Sequence, residues 1–154
     1  MSSSRAPAVA GTLLREERLA LAIPRDTPLA TEASEVTVSV LSGRPLIVYP
    51  KEARPGFADQ VLSLLHDHDV VVSEVIEARD LQTALGLVAA ESGVCVIPSA
   101  SRQSRSDLHY RLIAGERATS PVILNHRIND GSRYIPVVKD LIREMFAESP
   151  PWLD

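Results

Sequence analysis

Residues 45–66 read PLIVYPKEARPGFADQVLSLLH and contain two different apolar patterns. The first is the continuous run 46–49, whose length and β-branching predict a buried strand that ends at Pro50. The second has helical spacing and consists of Phe57, Val61, Leu64 and Leu65. This stretch therefore predicts a strand, a polar loop and a helix, with the loop at the carboxyl end of the strand.

The loop that leads into this helix is the first candidate binding site. In an open α/β sheet, ligands bind at the carboxyl ends of the strands. A helix start has free N–H groups and a dipole that favour an anion. Pro55 would lose no needed donor in a first turn, and Gly56 lets a ligand approach the backbone closely. These features fit a site for a small carboxylate, but an ordinary connection without a ligand explains the same residues and is the simpler interpretation of this stretch alone.

Length and composition restrict the class of protein. The 154 residues suffice for one domain with a hydrophobic core. The formal net charge of −4 argues against a nucleic-acid surface, which would need a clustered excess of Lys and Arg. The single cysteine, Cys95, excludes an internal disulfide and lies in an apolar run that predicts a buried thiol. No apolar run has the length of a membrane span and no signal-peptide core follows Met1, so we expect a cytoplasmic location.

Apolar periodicity predicts the other elements. Residues 13–23 alternate as in a strand, and 36–41 fit either a strand or a short helix. The remaining predicted elements are strands at 70–78, 94–97, 108–114 and 122–128, and helices at 81–91 and 132–148. Asp80 should cap the helix at 81–91, and Gly93 is placed to end it in a left-handed conformation.

The order strand–helix–strand–helix–strand predicts a parallel, right-handed α/β layer between residues 45 and 98. The flanking strands at 13–23 and 120–128 do not fit simply into this layer and are expected in a second one.

No residue set indicates catalysis or metal binding. His66 and His68 are two apart, so on a helix they do not face the same way, and a solvated helix end explains them better. Ser99 and Ser101 lack a nucleophile elbow and an evident triad, and the seven glycines form no phosphate loop. We expect no enzyme, no metal and no cofactor. From the residues alone the chain is an α/β domain that could bind a small anion.

Four segments together resemble the effector-binding domain of LysR-type transcriptional regulators. They are LLREERLALAIPRDTPL at 13–29, PLIVYPKEARPGF at 45–57, EARDLQTALGLVAAESGVCVIPSAS at 77–101, and the last helix followed by SPPW at 149–152. The likeness is greatest to the subgroup that controls aromatic catabolism and answers to benzoate, muconate or related acids. It covers nearly the whole chain, and 78–98 is its most specific part.

The resemblance implies a fold of the type 2 periplasmic-binding-protein class, with an effector in the cleft between two α/β subdomains. Subdomain II would be complete at 25–118. Subdomain I would be only partly present, at 13–24 and 119–149, with a flexible N-terminal arm at 1–12 and a tail at 150–154. The family's helix-turn-helix domain is absent from this chain, so we expect DNA contact only through such a domain, and homo-oligomers are expected.

The resemblance also assigns roles to residues. The effector contacts fall on Pro55, Gly56 and Phe57, in the loop chosen on physical grounds. A second, buried pocket of the benzoate-responsive regulators falls on Arg15, Glu17 and Tyr134. From spacing alone, the interpretation of 15–18 is a solvated charge run.

Arg79 and Asp80 match a pair thought to couple the two pockets through charge. The implied function is to sense a small aromatic-derived carboxylate and so control transcription. The alternative is a stand-alone interaction module that dimerises or pairs with a full-length regulator, because a half-built subdomain leaves strand edges that recruit other strands.

Overall fold

The computed structural model describes residues 8–30 and 35–148. Seven strands and three α-helices form in these residues. The strands are β1 (Val9–Pro24), β2 (Glu35–Val36), β3 (Pro45–Val48), β4 (Glu74–Glu77), β5 (Val94–Pro98), β6 (Leu108–Ile113) and β7 (Thr119–Arg127). The helices are α1 (Phe57–Asp67), α2 (Leu81–Ala89) and α3 (Tyr134–Ala147). None of the helices in the described part of the chain is long and apolar enough to cross a membrane.

The chain divides into two compact units. The first unit is Met1–Glu17 with Pro121–Asp154, and the second unit is Arg18–Ser120. The second half of β1 therefore belongs to the second unit, whereas the sequence placed 13–24 as a whole in the first subdomain. The reason is strand pairing, since Leu19–Pro24 pair with β5 and β6.

The second unit is built on one mixed sheet with the strand order β2-β6-β1-β5-β3-β4. β3 pairs in parallel with β4 and β5, which confirms the parallel layer expected between residues 45 and 98. β1 lies in the middle of this sheet and runs antiparallel to β5 and β6. The prediction that the strand at 13–23 belongs to a second layer was wrong for its second half, because sequence period does not reveal which strands pair.

Helices cover both faces of this sheet, and side chains alternate between them. On β3, Leu46 and Val48 pack in one cluster with α1, whereas Ile47 packs in the other with α2. β1 alternates in the same way: its leucines at 19 and 21 face α1, and its alanines at 20 and 22 face α2. The buried hydrophobic residues of the described chain all lie between Leu19 and Ala118, so the core belongs to the second unit.

Two predicted element ends differ from the structure near α2. β4 covers Glu74–Glu77 and not the whole of 70–78, because residues before it hydrogen-bond to the turn that precedes β3, as Gly43 N does to Val71 O at 2.8 Å. The left-handed residue after α2 is Glu91, with φ 60°, and not Gly93. Gly93 instead lies against the backbone of Pro45.

In 36–41, both predicted alternatives occur, since β2 is followed by a 3-10 turn at Val38–Leu41. At the N-terminus, β1 begins at Val9, so part of the expected arm at 1–12 is strand. β1 pairs with β7, and Ile128 N donates to Ala8 O at 3.0 Å. The rest of that arm, the SPPW motif and the tail at 150–154 lie outside the described residues.

Candidate functional site

The loop at the carboxyl end of β3 leads into α1 through an N-cap glycine. Gly56 has an extended backbone, and the helix begins at Phe57. A Cβ added to Gly56 would lie 3.1 Å from the carbonyl oxygen of Ala53, so this position has little room for a side chain. Pro55 precedes the cap, whereas the sequence had suggested a place in the first turn. The Tyr49–Pro50 and Arg54–Pro55 peptide bonds are cis.

The N–H groups at the start of α1 are partly occupied by the chain itself. Gly56 N donates to Asp59 Oδ2 at 2.7 Å, which is one half of a capping box, since glycine has no side chain to accept an N–H in return. Asp59 N and Gln60 N both donate to the carbonyl oxygen of Gly56. The N–H of Phe57 has no acceptor among the described residues. The N–H of Ala58, the next residue of the helix, likewise has no acceptor among them, so two donors at the positive end of this helix are unoccupied.

Arg54 connects this helix start to the neighbouring strand. Its Nε and Nη2 donate to the two carboxylate oxygens of Asp59 at 2.6 and 2.5 Å, and its Nη1 donates to Glu77 Oε1 at 3.2 Å. The guanidinium of Arg54 and the amide of Gly56 lower the pKa of Asp59 to about 2. All three guanidinium nitrogens thus contact the chain's own carboxylates, at the end of β4 and at the start of α1.

Arg54, Asp59 and Glu77 were not among the site residues predicted from the sequence. A local signal was present, since an acidic residue three positions after a cap is typical of a capping box. The contact of Arg54 with Glu77 had no such signal, because the two residues are 23 positions apart and meet only through the sheet.

Phe57 provides an aromatic surface beside its own amide. Its ring lies 5.4 Å from the ring of Tyr49 at an interplanar angle of 43°, a tilted aromatic pair. The side chain of Phe57 is half-buried and packs against the core cluster on the α1 side of the sheet. The three residues predicted to contact an effector, Pro55 to Phe57, are therefore adjacent in a turn that combines a free amide with a pair of rings.

The second predicted pocket falls in the first unit. Glu17 is 9% exposed, and the guanidinium of Arg15 lies 5.2 Å from the ring centre of Phe146. Tyr134 is 62% exposed, and the guanidinium of Arg133 lies 5.2 Å from its ring centre. The buried pocket that the resemblance implied is thus not closed at Tyr134 in this chain. A ligand-binding role for these residues stays a prediction.

The predicted coupling pair has a local structural role. Asp80 Oδ1 accepts from Thr83 N at 2.8 Å and so caps α2, as expected. This bond and the nearby Arg79, whose Nε lies 3.4 Å from Asp80 Oδ2, lower the pKa of Asp80. Arg79 is largely solvent-exposed. Charge coupling through this pair stays a prediction.

No cluster of three or more His, Cys, Asp or Glu side chains in residues 8–30 and 35–148 could hold a metal ion. Nδ1 of His68 lies 2.9 Å from the carbonyl oxygen of Leu64, within its own helix region. The polar groups described at the carboxyl end of β3 are the Phe57 amide and the contacts of Arg54 with Asp59 and Glu77.

A mixed sheet covered by helices on both faces has the architecture of the type 2 periplasmic-binding-protein class. Comparison with known proteins identifies the family. Residues 2–147 match the model of the LysR substrate binding domain, and the chain belongs to this family of transcriptional regulators.

Two curated relatives are transcriptional regulators by name. The chain is 62% identical over 148 residues to the probable cat1 operon transcriptional activator of Acinetobacter lwoffii, which covers 96% of this chain and 49% of that protein. It is 39% identical over 134 residues to the HTH-type transcriptional regulator CatR of Pseudomonas putida, covering 86% of this chain and 45% of CatR. The chain thus spans about half the length of the curated relatives it matches.

Solved structures of BenM, a regulator of Acinetobacter baylyi, have the same fold. The BenM effector binding domain with its effector benzoate superimposes with a TM-score of 0.82 and 31% identity, covering 99% of this chain and 72% of that one. A variant of the same domain gives a TM-score of 0.83 at 30% identity, covering 96% of this chain and 69% of that one. The predicted fold class is confirmed, and these relatives are transcriptional regulators by name.

Proposed function

We propose that this chain is the ligand-sensing part of a LysR-type transcriptional regulator and binds a small aromatic-derived carboxylate at the 55–57 turn. The observation that carries the proposal is the amide of Phe57. It is the first residue of α1, it follows the carboxyl end of β3, and it has no acceptor among the described residues. A carboxylate oxygen suits this donor because the helix dipole adds to the hydrogen bond.

The aromatic pair beside the amide supports an aromatic acid as the ligand class. The donor belongs to Phe57 itself, and the ring of this residue, together with that of Tyr49, offers apolar surface beside it. A flat acid could then place its carboxylate at the amide and its ring against these side chains. The effector of BenM, benzoate, favours the same class.

Calorimetric titration of the chain with benzoate, cis,cis-muconate and benzamide tests this proposal. We expect the acids to bind and the neutral amide to bind more weakly by about 1–2 kcal/mol, because it lacks the charge that the dipole and a charged hydrogen bond favour. Folded protein that gives no heat with either acid up to millimolar concentration would refute the proposal.

A glycine pair supplies matched variants for the same titration. Gly56→Val crowds the turn against the carbonyl of Ala53 and should weaken binding of the acids. Gly86→Val makes the same change in α2, where an added Cβ meets nothing within 4 Å, and should leave binding unchanged. If Gly56→Val binds as well as the parent chain, the anion binds elsewhere, and Arg15 with Tyr134 is the next candidate.

A second candidate function, self-association, follows from α3. This helix has no buried residue. One face, with Ile135, Ile142 and Phe146, is half-buried in the first unit, where Lys139 Nζ lies 3.0 Å from His126 Nε2. The other face carries exposed Tyr134, Val138, Leu141 and Met145 at spacings of four, three and four, the pattern of a helix-pairing seam.

We propose a second copy of this chain as the partner for that seam, since two such stripes can interdigitate in an antiparallel pair. Sedimentation velocity should then show a dimer that Leu141→Lys dissociates and that Asp140→Lys, one residue away on α3, does not. A monomer at all concentrations would reject this function. The partner of the seam would then be a segment of a longer protein.

A further inference from the structure

Asp59 places a negative charge at the proposed anion site. Its Oδ2 accepts the Gly56 amide at 2.7 Å, three residues before it and directly next to the free amide of Phe57. A ligand carboxylate at Phe57 would therefore lie beside the carboxylate of Asp59. Two neighbouring negative charges repel each other, so the carboxylate of Asp59 weakens binding of the ligand carboxylate.

Arg54 does not leave an excess of positive charge in the turn. Its guanidinium contacts both oxygens of Asp59 and one oxygen of Glu77. The three side chains together carry one positive and two negative charges, so their formal sum is −1. The bonds from Arg54 and Gly56 lower the pKa of Asp59 to about 2, and the carboxylate stays ionised at any physiological pH.

Building on the proposed function, we propose that Asp59 is a specificity-determining residue of the 55–57 site. It competes with the ligand for the positive end of α1 by keeping the Gly56 amide, and it leaves the amides of Phe57 and Ala58 for an incoming carboxylate. The turn therefore accepts one carboxylate group with limited affinity and disfavours ligands that bring a second negative charge close to Asp59 and Glu77.

Replacing Asp59 by Asn tests the proposal. The Asn oxygen keeps an acceptor for Gly56 N, while the negative charge is removed and Arg54 loses one of its two anionic partners. We expect Asp59→Asn to bind benzoate about threefold to tenfold more tightly at low salt, from the Coulomb energy of neighbouring charges near a surface. The gain should be larger for muconate, which has two carboxylates, and smaller at high salt.

Asp67→Asn is the matched control, because it removes the same charge from the last turn of the same helix. It should leave the affinity for benzoate unchanged. Glu77→Gln is a second variant that keeps the Asp59 cap and removes the other carboxylate on Arg54. It should tighten binding in the same direction, so the proposal stays testable if Asp59→Asn folds poorly.

The outcomes separate this proposal from the proposed function. If the parent chain binds benzoate but Asp59→Asn and Glu77→Gln bind it equally well or more weakly, Asp59 does not compete with the ligand and the inference is wrong. If neither the parent chain nor these variants bind either acid, both proposals fail. Tighter binding by both variants, with Asp67→Asn unchanged, supports the inference.

Discussion

Gly93, directly before β5, lies so close to Pro45 at the start of β3 that an added Cβ would be 2.7 Å from the carbonyl oxygen of Pro45. This contact lies at the amino ends of β3 and β5, two parallel neighbours of the central sheet. Real Cβ atoms do not approach a carbonyl oxygen this closely, and the obstacle is backbone, which cannot rotate away as a side chain can. Glycine is required here for space and not for a left-handed backbone.

We therefore expect Gly93→Ala to destabilise the chain by about 1–3 kcal/mol, the usual cost of overpacking. Gly86→Ala is the matched control and should raise stability by about 0.5–1 kcal/mol, because Gly86 lies in the interior of α2 with nothing within 4 Å of an added Cβ. Urea midpoints of the two variants would then shift in opposite directions. Equal shifts would mean that the β3–β5 approach is not tight.

Phe57 should contribute to stability as well as to ligand binding. Its half-buried ring packs on the core and against Tyr49, so Phe57→Ala should cost about 1–2 kcal/mol, less than for a fully buried ring. Phe57→Leu keeps most of the apolar volume and should cost less. Urea unfolding measures both changes. An unaltered midpoint for Phe57→Ala would place the ring outside the core, with a purely ligand-facing role.

The acid dependence of stability should reveal the cap of α1. The folded-state pKa of Asp59, about 2, is below the value of about 3.9 for an unfolded aspartate. Its contribution to stability is therefore present above pH 4 and is lost as the pH falls through the folded value. The gap in urea midpoint between the parent chain and Asp59→Asn should be constant from pH 7 to 5 and close between pH 4 and 2.

The contribution of Asp80, the N-cap of α2, to stability should also be lost as the pH falls. Its carboxylate accepts from Thr83 N, and this bond lowers its pKa. Asp80→Ala should lower the urea midpoint at pH 7, and the difference should shrink in acid, because a protonated carboxyl caps the helix less well. A difference that persists at pH 2 would show that the effect of the variant is not electrostatic.

Cys95 should be unreactive in the folded chain. It is fully buried in β5, and burial raises the pKa of its thiol to about 12. Almost no thiolate exists at pH 8, and the reagent has no access. Ellman's reagent should label the native chain no faster than the chain unfolds, and should label one thiol per chain in denaturant. Rapid native labelling would contradict the buried position.

Much of the second unit could be predicted from the sequence, because local patterns encode it. The run 46–49 and the spacing that begins at Phe57 predicted β3 and α1, and Asp80 predicted a cap that the structure contains. The alternation of leucine and alanine in 19–23 predicted a strand, and its two faces do pack against different helices. Each of these features depends on residues within one turn or one strand.

Other features depend on residues that meet only in the folded chain. The position of β1 between β5 and β6, the contact of Gly93 with Pro45, and the bond from Arg54 to Glu77 all join distant segments. Periodicity shows that a strand has a buried face but does not name its neighbours, and a charged residue in a loop shows no partner 23 positions away. Tertiary structure therefore decided which charges surround the proposed site, whereas the sequence by itself determined that a strand, a turn and a helix form there.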